Sequence, residues 1–487
     1  MNPLILLVPI LLPVIGGALI LKIRFQTDRA REIYSETIVV LTSAAVYLCL
    51  FLCRNTPVTV YSFTSGFSIS FAVDGLSCLF AGMVAAMWPL VMLYAFSYMR
   101  ESERKNSFFA FYVMTYGAAV GIAFAADMIT MYVFYEMLTL VTIPLVSHYG
   151  DHESMYAGRK YAAYTIGGAA LAFFPVVLTT LNSSGGSFIF GGDLLPGFDV
   201  PLMRGAFVFG FFGFGAKAAV FPLYDWLPTA SVAPTPVTAL LHAVAVVNAG
   251  VFAVMRMTWY VFGPELLAGS FEQKICIAVA IFSLLFGAVM AIRETHFKRR
   301  LAFSTMSNLS YMLFGVMLMT PLGFQAGMAH MLFHGVIKIS LFMCAGAFMH
   351  KTGQQYIYEI NGIGWKMPVT FVCYTLGALS LTGIPLFCGF ISKWSLLTAG
   401  AGEGSVWGMA GCAALILSAF LCAMYTLTIS IRAFFPGGEK TYYRSGKRDD
   451  ADGWMLTPIL VFAVLNIVFG VFPGGIMDFI GRIASGL

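Results

Sequence analysis

Residues 213–228 read GFGAKAAVFPLYDWLP, a stretch apolar enough for a bilayer except that a lysine stands five residues ahead of a proline. Proline has no N–H to donate and its ring collides with the preceding turn, so a helix entering here breaks close to Lys217 and Pro222. An ammonium at mid-membrane depth costs about 2.5–3.5 kcal/mol even on the translocon scale, and something must offset it. Carbonyls released at the break, with local water, supply that offset. Irregular backbone at such depth is tolerated only where it is buried in protein or lines a wet cavity. The same device recurs in GIPLFCGFISKW at 383–394, where Gly383 and Pro385 precede Lys393. The plainer alternative at each proline is a structural kink.

The rest of the chain fits a membrane setting. Of 487 residues, 59% are hydrophobic and 10% charged, and the mean hydropathy is +0.84, against about 25% charged residues in soluble domains. Spans need about 20 mainly apolar residues. Reading apolar runs against polar breaks predicts fourteen, at 3–21, 34–53, 75–97, 108–126, 128–148, 160–181, 203–224, 236–258, 274–292, 299–320, 325–349, 368–398, 406–434 and 455–479. The expected fold is an all-α polytopic membrane protein forming a single membrane domain over residues 1–487. The first stretch, Asn2 to Leu21, lacks a basic n-region and a cleavage site and reads as a retained helix. Residues 55–73 alternate apolar and polar and predict a hairpin before Asp74 opens the third helix. The Gly/Pro-rich stretch Asn182 to Pro201 reads as non-helical.

Charge argues topology. The formal net charge is +5, but the basic residues are scattered through short connections and form no single face, which excludes nucleic acid. Connections leaving odd-numbered spans hold 20 Lys and Arg, those leaving even-numbered spans 4. Cytoplasmic loops carry such an excess, so odd-to-even connections are expected inside and both termini outside, in a bacterial or archaeal inner membrane. The run HFKRR (His296 to Arg300) reads as a cytoplasmic topology anchor. Nine cysteines sit singly in apolar segments and read as free thiols.

Three lysines remain inside apolar spans: Lys217, Lys338 and Lys393. Glu136, in FYEMLTLVTIPL, shares their position, while Asp74 and Asp127 fall near helix ends and Asp225 reads as an interfacial anchor. A buried lysine and glutamate on neighbouring helices stabilise each other's charged forms, so Glu136 is a candidate partner, either as a switch or as a static ion pair. In HMLFHGVIK, His330, His334 and Lys338 are spaced by four and form one helical stripe about 12 Å long. Neutral imidazole accepts at one nitrogen and donates from the other, so the stripe can relay protons; the histidines otherwise serve only as bundle hydrogen bonds. His242 and Asn248, in TALLHAVAVVNAGVF, could extend a polar path from Lys217 toward Lys338. Phosphate loops, dinucleotide fingerprints, cysteine ligand sets and nucleophile elbows are missing from plausible settings, and no bound cofactor or metal is expected.

These motifs resemble the antiporter-like membrane subunits shared by respiratory complex I, Mrp-type sodium/proton antiporters and membrane-bound hydrogenases. The likeness covers nearly the whole chain and is densest at Phe134 to Leu145, Gly213 to Phe252, His296 to Met312, His330 to Lys338 and Gly383 to Trp394. It implies two inverted five-helix repeats, 108–258 and 274–434, with interrupted helices 7 and 12 carrying Lys217 and Lys393. It implies that Glu136 pairs with Lys217, that Lys338 is the central lysine and that Lys393 lies on the exit side. Many relatives carry a lysine where this chain has Asn248, and Lys393 is followed by Trp394 where the longest complex I member has an acidic residue. The function implied is translocation of protons, or exchange of Na+ for H+, in a complex with other membrane subunits. Three readings stand: a redox-driven complex with iron–sulfur partners, a Mrp-type secondary antiporter, or a non-transporting scaffold.

Overall fold

In the computed structural model, residues 3–54, 56–64, 67–183, 186–436 and 448–486 are described. Residues 55 and 65–66 of the stretch expected to form a hairpin, and 184–185 of the stretch expected to be non-helical, lie outside the described residues.

The chain is a helical bundle with one small hairpin. A 3-10 turn, Pro3–Leu7, leads into α1 (Val8–Lys22), followed by α2 (Asp28–Leu52). Then come β1 (Val58–Thr64) and β2 (Phe67–Phe71), paired antiparallel as the alternation predicted. Helices α3 (Gly75–Tyr98), α4 (Lys105–Phe124), α5 (Met128–Val146) and α6 (His152–Leu181) follow, then α7 (Val200–Gly215) and the short α8 (Trp226–Thr229). Next are α9 (Thr235–Leu241), α10 (Val246–Arg256), which runs into a π-helical turn at Met257–Phe262, and the short α11 (Pro264–Leu267). The second half holds α12 (Phe271–Arg293), α13 (Phe297–Met317), α14 (Pro321–Thr352), α15 (Pro368–Thr382), α16 (Cys388–Glu403), α17 (Val406–Phe434), α18 (Gly453–Val471) and α19 (Gly474–Ala484). Among the described residues, eleven helical segments are long and apolar enough to cross a membrane, and α7 and α15 are shorter apolar helices.

Polar residues at the helix ends fix where the spans begin. Thr27, Asp74, Asp127, Asp151, Asp199, Ser270, Thr320, Ser405 and Asp452 each accept a hydrogen bond from a first-turn N–H, satisfying donors that the helix leaves free. At the other ends, Gly353, Gly383 and Gly404 take the left-handed conformation that stops α14, α15 and α16. The hairpin is tied to the start of α5, where the Ser70 N–H donates to Thr130 Oγ1 at 2.9 Å and the Ser70 hydroxyl donates to the Asp127 carboxylate.

α14 lies at the centre, packed by α13, α15, α16, α18, α9 and α3. Nearly all of it is buried, as is the whole Thr235–Phe262 segment, so these are the elements whose polar residues cannot reach lipid headgroups. Four expected spans are not continuous helices. The one at 203–224 loses helical structure after Gly215, the one at 236–258 is interrupted at 242–245, the one at 368–398 is broken at 383–387, and the last is split into α18 and α19 at Pro473.

Candidate ion pathway

The break after α7 is lined with satisfied backbone. Residues 216–225 are non-helical, with Ala219 at φ 53°. Trp226 Nε1 donates to Ala216 O at 2.8 Å and Phe221 N to Ser283 Oγ at 3.0 Å, so groups freed by the break find partners. Lys217, fully buried, donates to Tyr135 O of α5 and stands 3.3 Å from the centre of the Tyr135 ring. Glu136, the next residue, is half-buried and bears on Lys217 electrostatically. The two do not form an ion pair: Glu136 Oε1 has no hydrogen-bond partner among the described residues. Asp225 is held by Lys160, at 2.5 Å.

A second break separates α9 from α10, and nothing in the sequence marks it. The Ala245 N–H reaches back five residues to Leu240 O at 2.8 Å, beside an ordinary bond from Val244 N to the same oxygen at 3.0 Å. This is a π-type bulge, which frees a carbonyl without proline or glycine. Asn248 Nδ2 donates to that freed Ala243 O at 2.8 Å, so Asn248 supports the bulge. His242 caps α9 there, fully buried, its ring 5.3 Å from that of Phe342 on α14. Neither ring nitrogen has a hydrogen-bond partner among the described residues.

Between α15 and α16 lies the third break, at Gly383 to Phe387, where Pro385 was expected to place it. Lys393, on α16, folds back to donate to Leu381 O at 2.5 Å and Thr382 O at 3.2 Å. Those are carbonyls at the open end of α15, where the helix dipole also favours a cation.

α14 joins these features. Lys338, fully buried, donates to Leu301 O at 2.9 Å and to Ser304 Oγ, both on α13. One turn away is His334, with neither ring nitrogen hydrogen-bonded among the described residues; its ring is 5.8 Å from that of His330. His330 Nδ1 is 2.9 Å from Ser392 Oγ and Nε2 is 3.2 Å from Asn308 Oδ1. Ser392 adjoins Lys393, whose ammonium is 5.1 Å from the Tyr311 ring centre. Lys338, His334, His330 and Lys393 thus form one buried row, with Ser304, Asn308 and Tyr311 flanking it along α13. Those three flanking residues are spaced by four and three, a helical stripe legible in STMSNLSYM but missed by a search for buried charge alone.

Two basic residues are more deeply placed than their sequence setting implied. Arg256, close to the end of the expected span 236–258, is 1% exposed and bound by Asp74: Nη2 donates to Oδ1 at 2.7 Å and Nη1 to Oδ2, with Ser77 Oγ also accepting at 2.8 Å. Lys298, expected to be a topology anchor, is 4% exposed and donates inward to Ala233 O at 2.8 Å. Among the described residues no group of three His, Cys, Asp or Glu could hold a metal ion.

The family model for the transmembrane region of the NADH:quinone oxidoreductase/Mrp antiporter matches residues 125–421, which contain every lysine and histidine of the row. This chain belongs to that family. Residues 60–109 of this antiporter-family chain also match the N-terminal model of complex I chain 5. It is 32% identical over 445 residues to a Na(+)/H(+) antiporter subunit of Alkalihalophilus pseudofirmus, covering 84% of this chain and 53% of that protein. It is 28% identical over 437 residues to the corresponding Na(+)/H(+) antiporter protein of Staphylococcus aureus strain Newman, with the same coverage. The chain therefore spans about half the length of the curated relatives it matches. In fold it is similar to a chain of the Mrp complex from Dietzia sp. DQ12-45-1b, with TM-score 0.86, 20% identity and coverage of 100% and 98%. A chain of the membrane-bound sulfane sulfur reductase, an archaeal respiratory membrane complex, gives TM-score 0.85 at 24% identity, with coverage of 99% and 97%.

Proposed function

We propose that this chain is the proton-translocating subunit of a multisubunit membrane complex and needs no cofactor of its own. The route runs through Lys217, His242, Lys338, His334, His330 and Lys393, and Glu136 beside Lys217 acts as its gate. Asn248 serves the route by holding the bulge at His242 open. The observation that carries this reading is the row on α14 and α16: four fully or nearly fully buried titratable side chains in succession, linked through Ser392 and Asn308. Ionisable residues inside a membrane are by default functional candidates.

In this reading the chain is one membrane domain of fourteen spans in the inner membrane of a bacterium or archaeon, with two inverted repeats at 108–258 and 274–434 and both termini outside. The names of the curated relatives favour exchange of Na+ against H+ over redox-driven pumping with iron–sulfur partners. The test is proton movement by the intact complex in inside-out vesicles, driven by a Na+ gradient without electron donor. Wild-type complex is expected to respond and Lys338→Ala and Lys217→Ala variants to lose the response. Wild-type movement in both variants refutes the route, and movement only with an electron donor refutes the exchange reading.

A further inference from the structure

α2 and α18 both pack on α3, and over the end of α3 they leave between them a cavity of about 460 Å3. Its walls include Arg29, Glu32 and Glu36 of α2, Arg100 just past α3, and Trp454 at the start of α18. The three α2 residues are spaced by three and four and so share one face of the helix. All five stand at the edge of the hydrocarbon. Arg29 and Glu32 fall just before the span expected at 34–53 and Glu36 just inside it, while Arg100 follows the span 75–97 and Trp454 precedes 455–479. That is headgroup depth, where exposed indoles such as that of Trp454 collect.

The polar groups of this cavity are left wanting partners. Glu36 is half-buried, and its Oε2, shut off from solvent, has no hydrogen-bond partner among the described residues. An acceptor shielded in this way is costly unless a donor reaches it. Arg29 is exposed, and Arg100, also exposed, comes no nearer than 4.0 Å to Asp452, which already accepts from the Ser97 hydroxyl. Both guanidinium forks can therefore take a phosphate. The cavity also opens onto apolar surface. Val40 and Ala44, one and two turns below Glu36 on α2, and Ala86, two turns from Leu93 on α3, are exposed and continue the cleft toward mid-membrane as a track for an acyl chain.

We propose that this cleft binds a phospholipid whose headgroup carries a primary amine, with Arg29 and Arg100 on its phosphate and Glu32 and Glu36 on its ammonium. Two cations facing two carboxylates match a zwitterion. A purely anionic headgroup would satisfy the arginines but press its charge on the glutamates. A quaternary ammonium has no N–H to give the Glu36 oxygen, whereas a primary ammonium has three. None of these residues belongs to the buried row, so the lipid site stands independently of the proton route.

The experiment places the assembled complex in lipid nanodiscs containing phosphatidylethanolamine with a diazirine on its acyl chain, irradiates it, and locates the adducts by peptide mass spectrometry. Adducts are expected on α2 around Val40 and Ala44 or on α3 around Ala86, suppressed by unlabelled phosphatidylethanolamine and about fivefold less by phosphatidylcholine or phosphatidylglycerol. Glu32→Gln with Glu36→Gln should abolish that preference, and Arg29→Gln with Arg100→Gln should lower labelling by every phospholipid. Both double variants are expected to assemble and to keep wild-type proton flux. Equal competition by the three lipids in the wild type overturns the amine recognition, and it decides the matter even where a variant fails to assemble. Adducts that leave these helices unlabelled, beside a photo-crosslink from Trp454→p-benzoylphenylalanine to a neighbouring subunit, overturn the lipid and show that a protein helix fills the cleft.

Discussion

Gly250, on α10, is the point at which the Lys217 break is clamped, and enlarging it displaces that lysine without removing any titratable group. A Cβ at Gly250 would lie 2.6 Å from Ala218 N and 3.0 Å from Lys217 C and Cβ. Ordinary contact starts near 3.4 Å, so the broken segment must retreat by about 1 Å, and main-chain atoms cannot rotate aside as a side chain can. Overpacking of this kind costs about 1–3 kcal/mol. A displacement near 1 Å at a reacting group lowers rates by up to about 100-fold, and Gly250→Ala is expected to cut proton flux at least tenfold. Gly335→Ala, on α14, supplies the control: its nearest contacts are Ala243 O and Met83 Sδ at 3.4 Å, already ordinary, and its flux should stay within about twofold of wild type. The assay is proton uptake by inside-out vesicles, normalised to assembled complex, with a thermal melt of the purified complex alongside. Wild-type flux and melting in Gly250→Ala would show that α10 does not fix the position of Lys217.

Further tests address the supporting contacts. Asp74→Asn leaves the 1%-exposed Arg256 guanidinium without its carboxylate and should cost about 3–5 kcal/mol, read as lost assembly in a native gel; Asp74→Ala with Arg256→Met should recover part of it, and no recovery would sink the pairing argument. Ser304→Ala removes one of two acceptors of Lys338, worth about 1.5–3 kcal/mol for a charged donor, and should lower flux about tenfold while Ser304→Thr restores it. His148 and His296 lie in connections, and burial, with Arg104 beside the first and Lys298 and Arg299 beside the second, holds each ring down at about 4. Both stay neutral where unfolded histidines, near 6.5, take a proton, so the unfolded state binds more protons between these values. Stability of the purified complex should therefore fall as pH drops from about 6.5 to 4 and level off below that. A melting temperature constant from pH 7 to 5 would contradict this.

How much of this was legible follows from what each signal measures. Proline and glycine next to Lys217 and Lys393 act through the local backbone, and both breaks lie where those residues put them. The hairpin came from alternation and the row on α14 from spacing by four, also local properties. The bulge at Leu240 to Ala245 has no local cause: Leu, His, Ala and Val all favour or tolerate continuous helix, and the irregularity is held by Asn248 within the segment. Lys298 was read as a topology anchor because it lies in a basic run at the start of the span 299–320, and Arg256 drew no role because it lies close to the end of the span 236–258. Only Ala233 O and Asp74, distant in sequence, reveal that both are inside. The Pro473 split was passed over because apolar residues continue beyond it, where α19 buries Ile480 and Ile483.

The partners of the buried cations divide along a chemical line. Lys217, Lys298, Lys338 and Lys393 donate to main-chain carbonyls, with one serine hydroxyl, and none forms an ion pair among the described residues. Arg256, buried to the same degree, has a bidentate carboxylate. A full opposite charge at contact distance holds a cation far more firmly than neutral dipoles do. Arginine never releases its proton in a protein, so firm pairing costs Arg256 nothing in function and secures α3 to α10. A lysine that relays protons must exist both charged and neutral, and carbonyl ligands leave both states within reach while still offsetting burial. Placing Glu136 one residue past the Lys217 acceptor, near enough to be felt and out of contact, fits the same rule: it biases the lysine without locking it. On this reasoning, Tyr135 O and Glu136 compete for the Lys217 ammonium, and Glu136→Gln should slow proton flux at least tenfold while leaving assembly intact, whereas a purely structural ion pair would show the reverse, with assembly lost in parallel with flux.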